Sequence, residues 1–163
     1  MNQLVLINYF KKFTIFIFSL LYIIIGIKHF QNPDPFLAIM PEIIPIYLHK
    51  FLVYISGFFE IYFGLLILHK EERKFGAWGL IILLFAVFPA NIYLFLSESA
   101  RENFGIAIGS TDPIRQIDTL IRIPFQIPLI LCAYWYTIDD PKKWFSYLCI
   151  ILFFPTIYYF ITL

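Results

Sequence analysis

Along this chain, apolar runs of roughly twenty residues alternate with short polar interruptions. Five runs stand out, at about Phe13–Phe30, His49–Leu68, Phe75–Leu96, Leu120–Ile138 and Trp144–Leu163. About twenty apolar residues in helical form cross the hydrocarbon core of a bilayer. None of the runs alternates as a barrel strand does, and lipid leaves an open backbone unsatisfied. The pattern predicts an all-α membrane protein with five spans, forming one integral membrane domain over residues 1–163. Lys11 and Lys12, ahead of the first run, imitate the start of a secretory leader. That run ends on Lys28, His29 and Phe30 with no small-residue cleavage pattern, so it is expected to be retained.

The interruptions are unequal. "HKEERK" (His69–Lys74) and "DDPKK" (Asp139–Lys143) are tight charged turns that suit antiparallel neighbours. "QNPDPFLAIMPEIIPIYL" (Gln31–Leu48) carries Pro33, Pro35, Pro41 and Pro45, which bar a continuous helix. Its apolar residues predict a lid lying in the membrane interface. "SESARENFGIAIGSTDPIRQID" (Ser97–Asp118) is more polar and is expected to loop above the membrane. One side of the membrane would hold Lys11, Lys12, Lys70, Arg73, Lys74, Lys142 and Lys143. The other would hold Lys28, Lys50, Arg101, Arg115 and Arg122, of which Lys28 and Arg122 fall inside helices. This bias predicts a cytoplasmic N-terminus.

Composition removes the soluble alternative. Hydrophobic residues make up 61% of the chain and charged residues 14%, too little polar surface to cover a soluble core. The surplus must face a lipid bilayer. A net charge of +1 offers no basic field, so no nucleic-acid partner is expected.

The few polar groups inside the runs then gain weight. Glu60 lies eleven residues beyond His49 on the second run, about 16 Å along a helix and near the midplane. His29 ends the first run, Asn91 falls in the outer third of the third, and Arg122 and Gln126 in the outer third of the fourth. The inner half holds nothing of comparable polarity. Arg122 and Gln126 are four apart and share a face, which Asp118 extends outward. Ser56, Gly57 and Gly64 flank Glu60 with small residues, which let helices approach closely. Pro89 removes a helical hydrogen bond and is expected to free the Phe85 carbonyl. A lone charge at this depth costs several kcal/mol. Arg122 is therefore the expected partner of Glu60, with Lys28 second because it can snorkel. The expectation is a polar chamber, lidded outside and closed by apolar packing inside.

Four stretches, "GIKHFQNPDPFLAIMPEIIP", "LVYISGFFEIYFGLLIL", "GAWGLIILLFAVFPANIYL" and "RIPFQIPLILCAYWYT", resemble the DoxX-like family of small integral membrane proteins. The resemblance runs from about Gly26 to Thr137. "FPAN" and the Tyr54–Glu60 string carry it together. It implies a four-helix transmembrane bundle, about residues 13–138, with His29, Glu60, Asn91, Arg122 and Gln126 as ligand-binding positions. The C-terminal run "KKWFSYLCIILFFPTIYYFITL" departs from it by adding a fifth hydrophobic helix, which packs on the bundle or serves a homo-oligomer. Relatives of that family include subunits of quinone-linked sulfur oxidation, companions of oxidative-stress proteins and receptor-assembly factors.

Blander readings stand beside these. Glu60 could be a protonated carboxyl joining two helices, and Asn91 and Gln126 interhelical glue. Trp78, Trp135, Trp144, Tyr134 and Tyr136 read as interfacial belt residues, Gly76 and Gly79 as helix-packing residues. His29, His49 and His69 occupy different helix ends, so no metal site is expected. Cys132 and Cys149 lack a C-x-x-C spacing and read as small fillers. The functional expectation is a quinone-like, lipophilic ligand bound in the chamber. With no self-contained redox cofactor motif, the role would be accessory or subunit to a membrane redox system in the bacterial cytoplasmic membrane. The alternatives are a non-enzymatic assembly factor with a purely structural polar core and, third, a small proton-coupled carrier. The missing polar path through the inner half counts against the carrier.

Overall fold

The structure is a computed structural model and describes residues 3–161. The described residues are helical, with no strand among them. The elements are α1 (Gln3–Gln31), α2 (Asp34–Ala38), α3 (Ile46–Leu68), α4 (Arg73–Leu96), α5 (Glu98–Ala107), α6 (Gln116–Leu120), α7 (Arg122–Thr137) and α8 (Lys143–Ile161). Five stretches are long and apolar enough to cross a membrane: α1, α3, α4, α6 with α7, and α8. No more than 39% of the most apolar window in any of them is buried within the protein, which leaves many apolar side chains exposed to suit lipid. The chain is an integral membrane protein.

Boundaries differ from expectation where local chemistry allows it. Helix α1 begins ten residues before Phe13, because "QLVLINYFKK" contains no breaker. The fourth span is interrupted at Ile121, between α6 and α7. Pro124 explains the break, since its ring crowds the carbonyl four residues earlier and it has no N–H to donate. The Ser97–Asp118 link is not a plain loop. Ser97 accepts a bond from the Ala100 amide at 3.2 Å and so caps α5. Arg101 donates to the Phe95 carbonyl at 2.7 Å, satisfying the end of α4.

The spans form a closed ring. Helix α1 packs on α3, α3 on α4, α4 on α7, α7 on α8, and α8 returns to α1. The fifth hydrophobic helix is thus a wall of the bundle, inserted between the first and fourth spans. On α1, Phe13, Phe16, Leu20, Ile24 and Ile27 are exposed, while Thr14, Phe18, Tyr22 and His29 on another face are buried. Both stripes follow the helical period.

Small residues bring α1 and α3 together. A Cβ on Gly26 would stand 2.6 Å from the Gly57 carbonyl, and one on Gly57 2.5 Å from the His29 Cβ. At the next turns of the ring, a Cβ on Gly76 or Gly79 would meet Leu66 or the Phe63 ring. Apolar packing around Phe18, Ile67, Leu80, Leu129 and Phe153 fills the half of the bundle nearer the α3–α4 turn. At the other end, α2 and α5 lie across the bundle, with Leu94, Ala100 and Phe104 packed against Ala38 and Ile39. The Tyr93 hydroxyl ties this cap to the Pro-rich link by donating to Glu42 at 2.9 Å.

Trp135 and Tyr136 correct the belt expectation. Trp135 is fully buried and donates Nε1–H to the Ser146 hydroxyl at 3.1 Å, which pins α8 to α7. Tyr136 is buried against Phe18. Trp78, Trp144 and Tyr134 are exposed, as belt residues should be. At the turns, Lys74 donates to Asp139 at 2.6 Å and holds that carboxyl below its usual range.

The Gly26–Gly57 crossing generates a prediction. Gly57→Ala should lower stability in detergent by about 1–3 kcal/mol through overpacking. Ile106→Ala, at an exposed site, should leave the midpoint of thermal unfolding unchanged. Equal midpoints for both variants would refute the close crossing.

Candidate functional site

A cavity of about 390 Å³ occupies the capped half of the bundle. His29, Glu60, Asn91, Arg122 and Gln126 all line it. The walls between them are apolar, with Ile25, Val53, Leu83, Val87 and Leu129 among the contributors. Phe36, Ile39, Met40, Pro41 and Ile44 of the Pro-rich link form the roof. The lid expected from the prolines is therefore in place. Phe160 adds a wall residue from α8, outside the four spans to which the site was assigned by sequence.

The close α1–α3 crossing sets one wall. His29 and Glu60 are both buried, with Nδ1 3.3 Å from Oε2. The same Nδ1 lies 2.9 Å from the Ile25 carbonyl, which can only accept. That contact calls for a proton on Nδ1. Phe36 stacks on the imidazole with centroids 3.5 Å apart, so the roof rests directly on His29. Oε2 of Glu60 makes no hydrogen bond. Ser56, one turn before Glu60, turns its hydroxyl back to the Val53 carbonyl at 2.9 Å.

The opposite wall comes from α4 and α7. The Arg122 guanidinium lies 4.6 Å from the centroid of the Phe104 ring and beside the Tyr159 hydroxyl. Gln126 is buried, and its amide nitrogen lies 3.5 Å from the Leu84 carbonyl, while its Oε1 has no partner. Asn91 is half-buried and lines the same cavity.

Several expectations are corrected here. Among the described residues, Glu60 forms no ion pair with Arg122; its polar neighbour is His29. The reason is placement, since the two charges sit on opposed walls and Arg122 is engaged by Phe104 of the cap. Lys28 is exposed and does not compete. Asp118 does not extend the Arg122 face; it pairs with Arg115 at 2.9 Å at the surface. The carbonyl that Gln126 approaches belongs to Leu84, one residue before the Phe85 carbonyl expected to be freed by Pro89. The other half of the bundle holds no carboxyl, guanidinium or amide among its described buried residues, but it does hold the hydroxyls of Thr14, Ser19 and Tyr136, which were not weighed from the sequence. Alternation along α1 was the signal, for Thr14, Phe18 and Tyr22 recur on the buried face. Cys132 and Cys149 are buried fillers whose sulfurs approach backbone carbonyls at 3.8 and 3.7 Å.

The model of a domain family of unknown function, DUF8561, matches residues 18–137. This chain belongs to the DUF8561 family. The matched stretch includes all five candidate residues of this DUF8561 protein and ends before α8. No curated protein and no solved structure matches the chain.

The roof contact carries a prediction. Phe36→Ala should uncover the His29 ring and raise its rate of modification by diethylpyrocarbonate several-fold. The same substitution would leave that rate unchanged if Phe36 did not cover His29.

Proposed function

We propose that this DUF8561 protein binds a lipophilic molecule with a polar, oxygen-bearing head in the capped cavity, with a quinone-like ring as the best fit. One observation carries the reading: a carboxyl and a guanidinium face the same apolar cavity without pairing with each other. Unpaired polar atoms of a buried site are costly, and a ligand that completes them is favoured. A quinone ring is flat and apolar, with hydrogen-bonding oxygens at opposite edges. Arg122 and Asn91 would donate to one oxygen. Glu60 and Oε1 of Gln126 would accept from a hydroxyl when the ring is reduced, and His29 would orient the carboxyl. A volume of about 390 Å³ lies in the range of small-molecule sites. The apolar roof and lipid-exposed walls suit entry of a ligand from the bilayer.

The motifs around Gly26–Pro45, Tyr54–Glu60 and Pro89–Asn91 resemble those of DoxX-like proteins, and support a place for this family beside them. The role that fits is an accessory or subunit function in a membrane redox system of the bacterial cytoplasmic membrane, with a membrane redox protein as partner. Lys11, Lys12, Lys70, Arg73, Lys142 and Lys143 gather at the end opposite the cap, which supports a cytoplasmic N-terminus and a cavity opening outward.

Decylubiquinone binding to the purified protein in nanodiscs tests the reading. Wild type should bind with saturation, and Glu60→Gln and Arg122→Gln should each weaken binding about tenfold or more, the scale of a hydrogen bond to a charged group. Equal affinity in all three proteins would remove the basis of the assignment.

A further inference from the structure

Beneath the cavity, the bundle contains buried hydroxyl groups that ligand binding does not use. Tyr22 forms part of the cavity floor and lies under the influence of Glu60. Its hydroxyl is buried without a hydrogen bond, as are those of Ser19 and Tyr136. Tyr22 and Tyr136 flank one side chain, Phe18, whose ring centroid is 4.8 Å from the first and 5.3 Å from the second. The Tyr136 hydroxyl lies toward Thr14 without forming a well-made bond to it. Thr14 in turn donates to the Lys11 carbonyl at 3.0 Å. The Lys11 ammonium donates to the Ile138 carbonyl at 2.5 Å, next to exposed Asp139 at the surface.

The groups trace a line through the membrane. Lys11, Thr14, Tyr22 and His29 share the buried face of α1, at helical spacings. Eighteen residues separate Lys11 from His29, a rise of about 27 Å, close to the thickness of a bilayer's hydrocarbon core. Folded proteins rarely leave buried hydroxyls unpaired, and where they lack protein partners, bound water serves. Tyrosine, serine and threonine hydroxyls each donate one hydrogen bond and accept others, as water does. A file of such groups passes a proton along by accepting one and releasing another, with no net change in any member.

We propose that this hydroxyl file, bridged by water, carries protons between Glu60 and the Lys11 face of the membrane. A proton entering at the Asp139 surface passes by way of Thr14, Tyr136 and Tyr22 to the Glu60 carboxylate, which releases it into the capped cavity and so toward the opposite face. The titratable or charged residues that line the cavity with Glu60 are His29 and Tyr22 from α1 and, on the far wall, Arg122 from α7; α4 contributes none. Hydroxyl traffic does not require a quinone in the cavity, so this inference reaches beyond the ligand reading. It also supplies the polar path whose apparent lack argued against proton coupling.

Proton flux into liposomes carrying the full chain tests it, driven by a potassium diffusion potential and read by entrapped pyranine. Wild type should exceed protein-free vesicles. Tyr22→Phe, which keeps the ring against Phe18, should reduce the flux at least tenfold, and Thr14→Val and Glu60→Gln should do likewise. Size-exclusion profiles and unfolding midpoints of the variants identify any that fail to fold, and Tyr136→Phe replaces such a variant. Wild-type flux equal to that of empty vesicles overturns the proposal, as does undiminished flux in well-folded Tyr22→Phe. Decylubiquinone binding by Thr14→Val, a site outside the cavity lining, measured in parallel, should persist. Flux that depends on Tyr22 in a protein that binds no quinone would refute the ligand reading and uphold the proton path.

Discussion

A carboxyl held among apolar side chains is the constraint on which this fold turns. Removing Glu60 from water at mid-membrane costs several kcal/mol unless polar neighbours receive it. The narrow α1–α3 crossing supplies one such neighbour but leaves Oε2 without a hydrogen bond. Gly26 and Gly57 remove the side chains that would hold the helices apart, and His29 arrives 3.3 Å from the carboxyl. The crossing forms one wall of the cavity in the capped half, while apolar packing fills the other half. Fold and site therefore share one origin.

Polar groups are segregated across the cavity. Acid and imidazole lie on the α1–α3 side; guanidinium and amides lie on the α4–α7 side. Had Arg122 collapsed onto Glu60, the pair would have been a structural staple with little left for a ligand. Instead Arg122 rests on Phe104 of the cap, and α8 supplies Tyr159 and Phe160 beside it. Cap, fifth span and fourth span thus hold the cation in place jointly.

Much of this was legible in the sequence. Hydropathy located the five spans, because lipid admits few alternatives to a helix. Depth along each span placed His29, Glu60, Asn91, Arg122 and Gln126 in one half, and they do line one cavity. The prolines at 33, 35, 41 and 45 marked the roof. Pairing was not legible, since depth fixes height in the membrane but leaves rotation and lateral order free. Glu60 therefore met His29 where Arg122 was expected. The position of α8 was hidden for the same reason: nothing in its composition says that it stands between α7 and α1. The helical nature of α5 was masked by its polarity, although the Ser97 cap was present. Trp135 and Tyr136 were read as belt residues from their type, while their burial depends on α1 and α8 packing over them.

The central claim is spatial: the Glu60 carboxyl adjoins His29 and faces Arg122 across an open space. Magic-angle-spinning NMR on the protein in bilayers, with carbon-labelled glutamate and nitrogen-labelled histidine and arginine, measures it directly. The account predicts a short dipolar contact between the Glu60 carboxyl carbon and Nδ1 of His29, and none with the Arg122 guanidinium. A strong Glu60–Arg122 contact, with His29 remote, would contradict it.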